Sequence, residues 1–148
     1  MSDTLYRKDL LRLAADAHGA GTLASPNACG EAYNPACGDR VKVQLLVADG
    51  QILEMAHETK ACVLAQASIS ILAQGLKGAK HAQIQHLHDE IAGMLAAHAP
   101  PPARPFDSYE AFVGAVEYPG RHRCVLLPIE AVLDALDSGE PDGIGRRG

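Results

Sequence analysis

The chemistry this sequence offers is carried by three cysteines and one aspartate: Cys37, Asp39, Cys62 and Cys124. Cys37 and Asp39 stand two residues apart in the turn Asn34-Pro35-Ala36-Cys37-Gly38-Asp39. Pro35 fixes its own φ and Gly38 accepts backbone that other residues resist, so a thiol and a carboxylate can converge on one point, as ligands in a loop must. Taken alone, the turn supplies half of a tetrahedral site, and an ordinary buried thiol is the simpler reading of it. Cys62 and Cys124 shift that balance, because each stands where a helix is expected to begin. A thiol in a first helical turn faces unpaired backbone N–H groups and the positive end of the helix dipole, which favours the thiolate. Together the four residues make a Cys3Asp set suited to tetrahedral zinc or to a small iron–sulfur cluster, with separations too long for a zinc finger.

The elements between these residues must bring them together. Arg40–Val47 alternates polar and apolar residues, Ala48-Asp49-Gly50-Gln51 interrupts the pattern, and Ile52–Thr59 resumes it, so a hairpin is expected. It starts just after Asp39 and ends just before Cys62, which puts both thiols at one edge of a sheet. Glu31–Tyr33 is a candidate third strand. Val63–Gly75 reads as a helix burying Ala65, Ile69, Leu72 and Leu76, with Gln66, Ser68, Ser70 and Gln74 as its polar face. Leu5–Ala20 reads as an amphipathic helix with Leu10, Leu11, Leu13, Ala14 and Ala17 apolar, and with His18 at its negative end. A further helix over Ala79–His98 turns Ile84, Leu87, Ile91, Met94 and Leu95 inward. Its histidines, His81, His86, His88 and His98, contain no i,i+4 pair and are read as surface residues. Pro100–Pro105 is a stiff connector. Asp107 or Ser108 is then expected to cap a short helix, with Glu110 at the capping-box position. The last helix buries Ile129, Val132, Leu133 and Leu136, stops at Ser138-Gly139, and tolerates Pro128 only in its first turn. The fold class that results is α+β: a small antiparallel sheet of about three strands with helices packed on one face. One domain over residues 1–139 and a flexible tail over 140–148 are expected.

Composition narrows the function. With 47% hydrophobic and 21% charged residues, 4% aromatics and no Trp in 148 residues, the core should be aliphatic. Few aromatics and a net charge of −5 argue against nucleic acid and against an anionic membrane surface, and a protein partner with a basic patch suits that charge better. No stretch approaches a membrane span and no export signal is recognisable, so a cytoplasmic protein with reduced thiols is expected. Cys29 has no acidic neighbour and is read as structural or incidental. No phosphate loop and no Ser-His-Asp elbow occurs.

Ala36-Cys37-Gly38-Asp39 before a hairpin, Cys62 followed by Ala65-Gln66-Ala67-Ser68-Ile69-Ser70, and Cys124 opening a final helix resemble the U-type iron–sulfur assembly proteins (IscU, SufU, the NifU N-terminal domain). Within that family the resemblance is to the SufU branch. Arg123 stands where IscU proteins carry a histidine ligand, and Val116-Glu117-Tyr118-Pro119-Gly120 replaces their chaperone-recognition segment. There are departures from the family pattern: Ala61 stands where many relatives have Gly, and His122, one residue from the IscU histidine position, is a further ligand candidate. The resemblance implies zinc held by Cys37, Asp39, Cys62 and Cys124. It also implies sulfur acceptance from a pyridoxal-phosphate cysteine desulfurase (SufS-like) by Cys37, with Arg121 steadying the anionic sulfur or Asp39. A surface salt bridge is the plainer role for that arginine. The alternative from the same four residues is a non-enzymatic scaffold that assembles a [2Fe-2S] cluster and passes it to apo iron–sulfur proteins or downstream assembly factors. A third possibility is a binding module whose zinc is purely structural.

Overall fold

The computed structural model describes residues 7–138. Its elements are α1 (Lys8–Asp16), β1 (Ala28–Asn34), β2 (Asp39–Ala48), β3 (Gln51–Lys60), α2 (Val63–Gly75), α3 (His81–Ala97), a 3-10 helix (Asp107–Glu117), a 3-10 turn (Pro119–Arg121) and α4 (His122–Ser138). The three strands form one antiparallel sheet in the order β1-β2-β3. Residues 1–6 and 139–148 lie outside the described residues, and with them the start of the first expected helix and the expected tail.

The hairpin forms where its turn residues demand it. Asp49 and Gly50 both have positive φ, 53° and 75°, as a two-residue turn matched to the strand twist requires. Along β2 the period of two is kept: Asp39, Val41, Val43, Leu45 and Val47 are buried on one face. Helices cover that face. α4 crosses β1 so closely that a Cβ on Gly30 would lie 2.2 Å from the Ala135 nitrogen, so glycine alone fits beneath the Ala131 and Ala135 turns.

α2 is buried nearly all round, and the expected stripe of Ala65, Ile69, Leu72 and Leu76 is joined by Leu64, Ala67, Ser68, Ser70 and Ile71. It is thus a central helix, not a half-exposed one. The five residues expected inward on α3 are all buried. One hydrophobic cluster runs from Leu10 to Ala135.

Three local expectations fail. α1 ends at Asp16, because Ala17 takes a left-handed conformation (φ 47°) and the chain turns to pair Ala20 with His57; Leu10 is buried while Leu11 is exposed. The segment after the connector is a 3-10 helix flanked by Phe106 with no side-chain cap, so neither Asp107 nor Ser108 plays that part. Pro128 sits in the seventh position of α4, because the helix begins at His122, two residues before Cys124. Lacking an N–H, Pro128 cannot bond the Cys124 carbonyl four residues back.

Candidate metal centre

Asp39 is the first residue of β2, and its side chain shares the buried parity of Val41 and Val43, so the carboxylate points to the helix side of the sheet end. The preceding turn is closed by Cys37 and Gly38 amides donating to the Asn34 carbonyl, with Gly38 at φ 77°. Cys37 is exposed on this turn, and Cys124 is buried in the first turn of α4. The ligand atoms of Cys37, Asp39 and Cys124 all lie within 4.8 Å of one another. Two thiolates on a tetrahedral zinc, at Zn–S distances of about 2.3 Å, stand about 3.8 Å apart, so little movement would complete the arrangement.

Cys62 joins through its neighbours. As the residue flanking the start of α2, it donates its backbone N–H to Asp39 Oδ1 at 3.2 Å. The neighbouring Cys124 thiol favours its thiolate, lowering the Cys62 pKa to about 7 against the opposing effect of burial. The Cys62 thiolate beside it and burial push Cys124 up. Asp39 Oδ2 is buried with no hydrogen-bond partner among the described residues. A buried carboxylate oxygen left unpaired is costly, and the Cys37 and Cys124 thiols that converge with this carboxylate are donors that a thiophilic cation would satisfy, with the Cys62 sulfur outside the 4.8 Å group but at the adjoining start of α2. The residues present therefore fit a metal ion.

The other candidates fall outside this group. His122 donates Nε2–H to the Ala115 carbonyl at 3.0 Å, which turns its ring to the 3-10 helix instead of the cysteines. Arg121 is exposed on the 3-10 turn, and its guanidinium makes no ion pair among the described residues, so the plain salt-bridge role is not seen. Arg123 pairs with Glu130 at 3.2 Å. Cys29 is exposed on β1 and is not a core thiol. Of the α3 histidines, His81, His86 and His98 are exposed, while half-buried His88 faces Glu130 at 3.4 Å, whose hydrogen bond raises its pKa.

Ser68 and Ser70 do not lie on a polar face but are fully buried. Ser68 bonds the Tyr109 hydroxyl at 2.7 Å and donates to the Val125 carbonyl at 2.7 Å. It ties α2, which Cys62 precedes, to the residue after Cys124, and Tyr109 closes the link by sharing its one hydroxyl proton between Ser68 Oγ and the Ser68 carbonyl, 3.1 Å away. The legible signal was a serine amid apolar neighbours on a helix with no polar face. Tyr109→Phe is expected to lower stability by about 1–2 kcal/mol in a urea melt, and Tyr109→Leu, which also loses the ring packed on Phe112, by more. An unchanged melting curve for Tyr109→Phe would show that the hydroxyl ties nothing.

A three-stranded antiparallel sheet with helices on one face ends in a cluster of two thiols and a carboxylate, a donor set that could hold a metal ion. The sequence matches the NifU-like N terminal domain over residues 5–125, and the chain belongs to that family. It is similar to the zinc-dependent sulfurtransferase SufU of Bacillus subtilis, 27% identical over 131 residues and covering 88% of each chain. Similarity to the iron–sulfur cluster assembly scaffold protein IscU of Thermotoga maritima is 25% over 132 residues, covering 89% of this chain and 92% of the relative. Among solved structures, the N-terminal part of a nitrogen-fixing NifU-like protein from Brucella abortus superposes with a TM-score of 0.86 at 34% identity, covering 91% of this chain and 94% of the other. The SUF-system scaffold protein of Fervidobacterium islandicum shares the fold, with a TM-score of 0.78 at 21% identity over 92% of this chain and 99% of the other. The U-type resemblance and the α+β architecture read from the sequence are both borne out. Among the described residues no helix is long and apolar enough to cross a membrane.

Proposed function

We propose that this chain is an iron–sulfur cluster assembly protein that accepts sulfur from a cysteine desulfurase, with zinc held by Cys37, Asp39, Cys62 and Cys124. The observation that carries the reading is the Asp39 carboxylate, which has one oxygen within 4.8 Å of the Cys37 and Cys124 sulfurs and whose Oδ2 is buried without a hydrogen-bond partner among the described residues. Bound there, zinc would keep the thiols deprotonated at neutral pH. Cys37, the exposed thiol on a turn, is the acceptor. Its thiolate attacks the outer sulfur of the desulfurase persulfide; the new S–S bond forms on Cys37 as the old one breaks, and the desulfurase cysteine leaves as thiolate with no net oxidation. Arg121, exposed beside the α4 start and without an ion-pair partner among the described residues, can neutralise the anionic terminal sulfur. Cys62 and Cys124 remain as ligands, and Asp39, the only oxygen donor, is the member that exchanges most readily.

A scaffold reading, in which a [2Fe-2S] cluster is the cargo on the same residues, is supported by the IscU relative at nearly the same identity. Arg123 bears on the choice. Its guanidinium is held by Glu130 and has no free lone pair, so this position offers no metal-ligating nitrogen where IscU proteins have histidine.

Asp39→Ala separates the readings. Alanine release by the cognate desulfurase should be stimulated by the wild-type chain and about tenfold less by the variant, with circular dichroism unchanged. If the chain is a scaffold, a bound cluster should instead persist longer in the variant. Full stimulation by Asp39→Ala with unchanged zinc content removes Asp39 from the site.

A further inference from the structure

We propose that the sheet face turned away from the helices, at the end bearing the Cys37 turn, docks an acidic segment of the sulfur-donating enzyme; the inference rests on the sulfur-acceptor reading above. Because Asp39, Val41 and Val43 point to the helices, the alternate residues of β2, Arg40 and Lys42, point outward and are exposed. The register sets Tyr33, Arg40 and Lys60 in one row across the three strands, next to the Asn34–Asp39 pair, and Glu31, Lys42 and Glu58 in a row two residues away. Arg40, Lys42, Lys60 and Glu58 line a shared depression of about 140 Å³. Three cations face one carboxylate there, in a chain whose net charge is −5.

These cations are not all spent on neighbours. Arg40 pairs with Glu31 at 3.1 Å and lies 5.0 Å over the Tyr33 ring, which orders it, whereas Lys42 and Lys60 have no ion-pair partner among the described residues. Tyr33 is 46% exposed and supplies a large amphipathic contact beside them. An ordered arginine, an exposed tyrosine and two unpaired lysines are the composition of a recognition patch, and carboxylates are its complement. A nucleic acid fits less well, because one exposed aromatic offers a single stacking platform and the chain as a whole repels a phosphate backbone. The place matters as much as the charge. An enzyme that delivers sulfur to Cys37 must touch this end of the sheet, since the turn joins β1 to β2 there. Net charge alone points to a basic partner, and the local arrangement reverses that sign.

The test measures association of the full chain with its cognate cysteine desulfurase by stopped-flow fluorescence at low and high salt. Wild-type association should slow as salt rises. Lys42→Glu/Lys60→Glu should associate about tenfold more slowly at low salt, with zinc content unchanged. Lys42→Gln/Lys60→Gln, which places no new carboxylate opposite Glu58, should fall between that variant and wild type. Lys8→Glu/Lys77→Glu makes the same change in net charge at exposed sites elsewhere, and should stay within about twofold of wild type. Equal slowing in the two Glu doubles overturns the docking face and leaves the sulfur-acceptor reading intact, whereas no wild-type complex at all overturns both. Heparin binding abolished by the Lys42→Glu/Lys60→Glu change, with desulfurase association unaffected, assigns the face to a polyanion and also overturns the proposal.

Discussion

Cys37→Ser is expected to abolish sulfur acceptance while leaving the fold intact. The side chain is exposed on a turn whose backbone bonds run to Asn34, so nothing in the core depends on its sulfur. A serine hydroxyl has neither the low pKa nor the polarisability of a thiol, so transfer should fall at least about a hundredfold. Persulfide on the chain, detected by mass spectrometry after incubation with desulfurase and cysteine, is the readout. Cys29→Ser is the control. Its thiol is also exposed but sits on β1, outside the group formed by Cys37, Asp39 and Cys124, and should change nothing. Persulfide on Cys37→Ser at the wild-type level would move the acceptor to another cysteine and undo the assignment.

The second large effect is on stability. The four proposed ligands come from the β1–β2 turn, the first residue of β2, the start of α2 and the first turn of α4, so the unfolded chain holds no preformed site. A metal bound only by the folded state stabilises it by mass action, by about 4 kcal/mol when free metal exceeds the dissociation constant a thousandfold. For a chain of this size that corresponds to a fall in Tm of roughly 10 °C or more after chelation. Part of the loss would come from Asp39, whose buried carboxylate is then left between a hydrogen bond to the Cys62 amide and an oxygen with no partner. Calorimetry before and after metal removal, with zinc restoring the original Tm, checks this. A Tm indifferent to verified metal removal would mean that the four side chains do not act together.

The parts of the fold that follow from local pattern were legible. Asp49-Gly50 set the hairpin, the period of two named the buried face of β2, and the helical period named the inward residues of α2 and α3. What escaped depends on contacts distant in sequence. Ser68 looks polar until Tyr109 and Val125 close on it from two other elements. Pro128 looks like a helix start until the helix is seen to begin six residues earlier, with Ser68 donating to a carbonyl near the missing bond. Ala17 and the turn after it leave the helical pattern because the β3 edge at His57 offers backbone bonds to Gly19 and Gly21. The convergence of Cys37 and Asp39 was readable from Pro35 and Gly38. That Cys124 completes their group, and that Oδ2 of Asp39 is left unpaired, required the packing of α4 across Gly30.

Metal and acid-labile sulfide analysis of the chain purified without oxygen, read with its visible spectrum, decides whether Cys37, Asp39, Cys62 and Cys124 hold zinc. Close to one zinc per chain is expected, with no sulfide and no visible absorption, and with zinc lost from Cys124→Ala. Iron and sulfide in place of zinc, with absorption in the visible, would contradict it and make the cluster the cargo of this site.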